Sequence, residues 1–149
     1  WCLDRGADNV VNHHQSLDDE LAAIELPLVD YILCLNNTDQ HWSAMAKTIK
    51  PQGRICSIVD TSNADLSLLK SKSATFVWEF MFTRTMYKTV DMIEQQRLLN
   101  KVTDLINEGV LTTTAHTLLQ PINAENLRKA HAIIEQGNSI GKLVISDWV

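Results

Sequence analysis

Long hydrophobic runs are missing from this 149-residue chain: none approaches the ~18 apolar residues of a membrane helix, and no charged-then-apolar leader opens it. The expected setting is cytoplasmic. Cysteine is scarce. The 3 thiols, Cys2, Cys34 and Cys56, are odd in number, widely spaced and free of any CxxC pair, which speaks against a disulfide framework or a zinc knuckle. Cys34 and Cys56 lie inside apolar runs and read as small buried hydrophobes. Positive charge is thin as well, with 13 Lys and Arg against 18 Asp and Glu and a net charge of -5. The basic residues are scattered instead of gathered on one face, so neither nucleic acid nor an anionic membrane is an expected partner. No serine sits in GxSxG, and none of His13, His14, His41, His116 and His131 falls in HxxxH or HExxH. The sequence therefore offers no catalytic residue and no metal ligand, and zinc is not expected within this chain.

What is present is the composition of a globular chain, 45% hydrophobic and 21% charged. "WCLDRG" opens on the last turn of a helix that Gly6 closes, which points to residues missing upstream of Trp1. Val10 and Val11 form a short strand-like run. Ser16 can cap a helix over "SLDDELAAIE", with Asp19 at capping-box spacing, Leu21 and Ile24 inward and Pro27 ending it. Residues 28–35, "LVDYILCL", are the nearly unbroken hydrophobic run of a strand covered on both faces, which favours a parallel sheet. Trp42, Met45, Ala46 and Ile49 then share one face of a helix that Pro51 and Gly53 break, and residues 54–59 supply another buried strand. Strand, helix and strand with short connections make a right-handed parallel crossover, the unit of a doubly wound sheet.

Further along, "TFVWEFMF" at 75–82 alternates Thr75, Val77, Glu79 and Met81 with Phe76, Trp78, Phe80 and Phe82, so a strand here stacks aromatics on one face. Leu98, Leu99, Val102, Leu105 and Ile106 form a helical stripe closed by Gly109. Residues 111–119 are β-rich. Asn123 caps a helix that Gly137 stops, with Leu127, Ala130, Ile133 and Ile134 inward, and residues 141–146 are a final strand. The fold class is α/β.

The order of these elements and the strings "RGADNVVNHH", "VDYILCLNNTDQHW", "IKPQGRICSI", "KSATFVWEFMFTRTMY", "LINEGVLTTT", "PINAENLRKAHAIIEQG" and "IGKLVI" span almost the whole chain. They resemble the carboxyl-terminal half of the medium-chain dehydrogenase/reductase family, in its zinc-type alcohol dehydrogenase and quinone oxidoreductase branch. The resemblance implies that residues 1–149 are part of an NAD(P)-binding Rossmann domain lacking its first two strands, with the return segment of the subunit starting near residue 111. It implies a parent enzyme transferring hydride between NAD(P)H and a carbonyl, enone or quinone. The GxGxxG fingerprint that seats the pyrophosphate is not in this chain, so the chain alone is expected to be inactive and to hold no cofactor.

Ligands of open parallel sheets bind beyond the carboxyl ends of the strands, which selects Leu35, Asn36 and Asn37 after one strand and Val59, Asp60 and Thr61 after the next. In the family these loops border the nicotinamide riboside, although Asn is also a routine turn residue and cap. The resemblance makes Phe80, Met81 and Phe82 neighbours of the nicotinamide carboxamide. It also makes residues 75–82 an edge strand pairing with its twin in a homodimer, the alternative being an ordinary core strand. Lys142 matches a phosphate-side position, or is a solvated strand end. Two outcomes are expected for the missing strands: Val10 and Val11 move in beside residues 29–35, or another segment or chain fills the gap. A non-catalytic dimerisation scaffold is the alternative function.

Overall fold

The computed structural model describes residues 1–148. They form two compact units, one of Gly6–Met92 and one that begins at Ile93, with the first few residues divided between them. The α/β expectation holds in both. A short 3-10 helix, Leu3–Arg5, precedes Gly6, whose φ of 98° is the left-handed turn that closes it.

The first unit runs α1 (Leu17–Ala23), β1 (Val29–Cys34), α2 (Thr38–Thr48), β2 (Ile49–Ser57), α3 (Ser67–Lys70), β3 (Thr75–Trp78) and α4 (Thr83–Met86). The sheet is parallel with order β1-β2-β3, as the crossover pattern requires. Its core is built on the helix face predicted from spacing: Trp42, Met45 and Ala46 of α2 pack with Cys34, Ile55, Leu69 and Ile49, which was expected to end that face but opens β2 instead. Phe76 joins them edge-on to Trp42, with ring centroids 5.3 Å apart. Lys72 fastens the far end of α2, its ammonium donating to the carbonyls of Ala46, Lys47 and Ile49 at 2.9, 2.6 and 2.8 Å. A cation there meets the negative end of the helix dipole.

Several expectations fail in instructive ways. Pro51 and Gly53 do not separate helix from strand but lie inside β2. Val29 pairs with Ile49 and Tyr31 with Arg54, so β2 takes five residue steps where β1 takes two, and Gln52 adopts a φ of 63° in the bulge. Gly53 is buried there because a Cβ would stand 2.9 Å from the Asp30 carbonyl and 2.7 Å from Ile49 Cδ1. Ser16 occupies the N-cap position of α1 but makes no cap; its hydroxyl donates to the Asp18 carboxylate instead.

Val10 and Val11 form no strand, and among the described residues β1 has β2 as its one neighbour in the sheet. Two residues supply too few ladder bonds to hold an edge strand in place. The aromatic strand is also shorter than predicted. β3 ends at Trp78, and Phe80 and Phe82 belong to a turn closed by the Thr83 amide on the Phe80 carbonyl. The reason lies next door: β2 ends at Ser57, opposite Trp78, and beyond it β3 has no ladder to join.

The second unit comprises α5 (Ile93–Asn107), β4 (Ala115–Leu119), α6 (Ala124–Glu135) and β5 (Lys142–Ile145), with β4 and β5 parallel. Asn123 caps α6 as expected, its side chain accepting from the Asn126 amide at 2.8 Å. Gly109 and Gly137 carry positive φ just beyond α5 and α6. Only part of the predicted inward face of α6 is covered: Ala130 is buried, whereas Leu127 and Ile134 line an apolar hollow of about 320 Å³ with Leu143 and Ile145. No residue of the α5 stripe is fully buried: Leu98 is 63% and Leu99 60% exposed, and Leu105 is partly covered.

Candidate functional site

The register of the first sheet creates the candidate site. Cys34 lies opposite Ser57 and Ser57 opposite Trp78, so three parallel strands end level with one another. The loops that follow them therefore leave from one edge, the edge toward which ligands of parallel sheets converge. Leu35, Asn36 and Asn37 come after β1, Val59, Asp60 and Thr61 after β2, and Phe80, Met81 and Phe82 after β3. Nine of the ten residues that the sequence singles out for a ligand thus share this edge. Lys142 does not belong to the group; it begins β5 in the other unit, exposed, its amide donating to the Thr114 carbonyl at 2.7 Å.

Beneath the first two loops lies a closed relay of hydrogen bonds. The Val59 amide donates to Ser57 Oγ at 3.2 Å, Ser57 Oγ stands 2.8 Å from Thr38 Oγ1, and Thr38 Oγ1 donates to the Val59 carbonyl at 2.7 Å. Both hydroxyls are fully buried, at 0% exposure, and both find their partners within this relay. Cys34 completes the floor, its thiol donating to the Asn36 carbonyl at 3.3 Å. The loop after β1 is thereby tied to the loop after β2 through the first residue of α2.

Asp39 makes a second tie. Its carboxylate accepts the Thr61 hydroxyl, the Ser62 hydroxyl at 2.9 Å and the Ser62 and Asn63 amides at 3.2 Å. The Thr61 hydroxyl leads in holding the Asp39 carboxyl at about 2, below the ordinary 3.8, followed by the Ser62 amide and hydroxyl. Asn37, with a φ of 55°, turns the chain into α2 and donates its side-chain amide to Gln40, not to a ligand or a cap. Leu35, Asn36, Asn37 and Asp60 are exposed.

At the third loop the Glu79 amide still reaches back to Ser57 O at 3.0 Å, whereas the Phe80, Met81 and Phe82 amides have no partner among the described residues. Phe80 and Phe82 stack edge to face at 5.5 Å, and both are exposed. Arg84 and Asp91, paired at 3.0 Å, brace the chain that follows, and Thr89 donates to the same carboxylate at 2.6 Å.

Sequence reasoning missed Thr38, Asp39 and Ser57. The Ser57 signal was present, a lone hydroxyl closing an apolar strand, but its meaning depends on Thr38, which only the fold brings near. Among the described residues no group of three or more His, Cys, Asp and Glu side chains is placed to hold a metal ion. None of their helices is long and apolar enough to cross a membrane.

Comparison with known proteins places this geometry. The family model for zinc-binding dehydrogenases matches residues 5–145. A zinc-type alcohol dehydrogenase-like protein of Staphylococcus aureus is 43% identical over 98% of the chain, and a counterpart in Staphylococcus epidermidis is 38% identical over the same share. The chain spans 44% of the length of these curated relatives. A crystal structure from Rhizobium etli described as a zinc-dependent alcohol dehydrogenase superposes with a TM-score of 0.86 at 44% identity, covering 97% of this chain and 42% of that one. The CurK enoyl reductase shares the fold at a TM-score of 0.71 and 18% identity, over 99% of this chain and 43% of its own.

Proposed function

The chain belongs to the zinc-binding dehydrogenase family, and from that premise we propose that it is the carboxyl-terminal portion of an NAD(P)H-dependent oxidoreductase acting on a small carbonyl, enone or quinone substrate. The observation that carries this reading is the level ending of β1, β2 and β3, which brings the polar turn at Asn36 and the unpartnered amides of residues 80–82 to one edge. Those amides suit the carboxamide oxygen of a nicotinamide ring, and Asn36 suits the ribose hydroxyls. NAD(P)H, when bound, supplies the hydride. The residues of this chain orient the ring: Thr38, Ser57 and Asp39 hold the two polar loops in place, and the aromatic turn at Phe80 limits water beside it.

These residues fit the nicotinamide end of the cofactor only. The chain has no GxGxxG cluster for the pyrophosphate, so alone it is inactive and binds cofactor weakly. Its residues do not fit zinc, which has no part in the chemistry proposed for it. The segment from about residue 111 serves as the return toward the substrate-binding half, and the setting is cytoplasmic.

Saturation-transfer NMR with NADPH and NADH tests this. The nicotinamide protons should saturate more strongly than the adenine protons, and Met81→Pro, which deletes one amide, should weaken the effect. Equal saturation of both rings, or none at all, overturns the reading. A second reading, a non-catalytic dimerisation scaffold, is favoured by the position of β3 at the sheet edge with β2 alone beside it. In that reading, residues 75–78 pair with a second copy across a twofold axis.

A further inference from the structure

The sequence leaves His13, His14 and His41 dispersed, but the fold brings all three to one pocket of about 270 Å³ beside α1 and α2. The His13 and His14 rings lie 4.0 Å apart, and His13 meets His41 at 6.5 Å. None of the three rings has a hydrogen-bond partner among the described residues. Gln40 and Ser43 also line the pocket. The Gln40 oxygen is spent on the Asn37 amide, which leaves its amide hydrogens to donate.

The fixed charges around the pocket are the Lys47 ammonium against the carboxylates of Asp18 and Asp19, so they leave it no positive surplus. Lys47 is paired to Asp18 at 2.9 Å, and Asp19 adds a further carboxylate near Lys47. Glu20, the remaining acid of α1, accepts the Asn12 amide. Asp18 is occupied twice, by Lys47 and by the Ser16 hydroxyl. What the pocket offers outward is therefore a surplus of donors. Any further positive charge must come from protonation of the three imidazoles.

We propose that this pocket is a binding site for a tetrahedral oxyanion, a sulfate or phosphate group, seated by His13, His14 and His41 with Gln40 and Ser43 as neutral donors. It is separate from the sheet-edge loops, none of whose proposed cofactor contacts lines it. A divalent cation is the weaker match. It needs converging lone pairs, which no group of three or more ligating residues provides among the described residues. An oxyanion instead satisfies the unpaired ring N–H groups and offsets the repulsion between two protonated rings stacked as closely as His13 and His14.

Sulfate is the suitable first probe, because it remains a dianion across the histidine range and any pH dependence belongs to the protein. Followed by NMR of the histidine rings of this chain, sulfate should shift His13, His14 and His41 near pH 6 and leave His116 and His131 unmoved. Affinity should fall roughly tenfold or more by pH 8. The His13→Asn, His41→Asn double variant should lose most of the binding while keeping its circular dichroism spectrum. Should that variant fail to fold, Ser43→Ala with ring shifts read in the same way serves instead, and a several-fold loss is expected. Inorganic phosphate compared with glycerol phosphate then tells whether the group is taken free or carried on a carbon skeleton. Equal response of all five histidines, equal affinity at both pH values, or zinc binding to the same three rings more tightly at pH 8 overturns the proposal.

Discussion

At the scale of single residues, the candidate site rests on three side chains that touch no ligand in the proposal. Thr38 and Ser57 complete each other, and removing one leaves a buried hydroxyl short of a partner. Thr38→Val keeps the shape and deletes the bond to the Val59 carbonyl, so urea unfolding should show a loss of about 1–3 kcal/mol. Asp39 acts differently because it is exposed and its bonds are to a loop. Its folded titration point, about 2, lies below the ordinary 3.8, so its contribution is complete above the ordinary value and is lost as pH falls through about 2. Hydrogen exchange at the Ser62 and Asn63 amides should accordingly stay slow down to about pH 4 and quicken below it. Asp39→Asn should remove that acid transition, and unchanged exchange in the variant would show that the loop is held by something else.

At the scale of elements, sequence and structure part where a neighbour decides. The face of α2 was legible because Trp42, Met45 and Ala46 repeat at helical spacing and the same residues build the core, whereas Ile49 fits that spacing but belongs to β2. The role of Gly53 was not, since nothing in "KPQGRI" reveals that a carbonyl from β1 passes 2.9 Å from where its Cβ would be. Gly53→Ala should cost about 1–3 kcal/mol in a thermal or urea melt, from overpacking against backbone that cannot yield. The cap on α6 is the opposite case, a local motif read correctly from Asn123 onward. Asn123→Ala should cost about 1 kcal/mol, visible as loss of helix signal at lower denaturant.

At the scale of the whole molecule, the chain leaves apolar surface that its own residues do not cover. On the face of the first sheet away from α2, Tyr31 is 76% and Leu33 62% exposed, with Ile58 and Val77 beside them. Those residues lie in or just beyond strands whose hydrophobic runs signalled burial on both faces. An isolated chain with such a surface should bind a hydrophobic dye strongly and self-associate. If association uses the β3 edge, alternation along the strand sends the Trp78 amide outward, because the Glu79 amide turns back to Ser57. Trp78→Pro should then reduce the dimer fraction in sedimentation velocity, and an unchanged fraction would move the contact to another surface.

The sequence by itself determined the α/β class, the parallel crossover, the buried helix face, the helix stops at Gly109 and Gly137 and the placing of nine residues at the sheet edge. Each of these depends on spacing within a few residues, or on the rule that parallel strands present their carboxyl ends together. Only the tertiary structure decided where β3 ends, why Gly53 is glycine, that Val10 and Val11 form no strand, and that Thr38, Asp39 and Ser57 hold the loops. Those outcomes turn on contacts between residues 19 or more positions apart, or on a ladder partner being present or missing, and no local pattern encodes them.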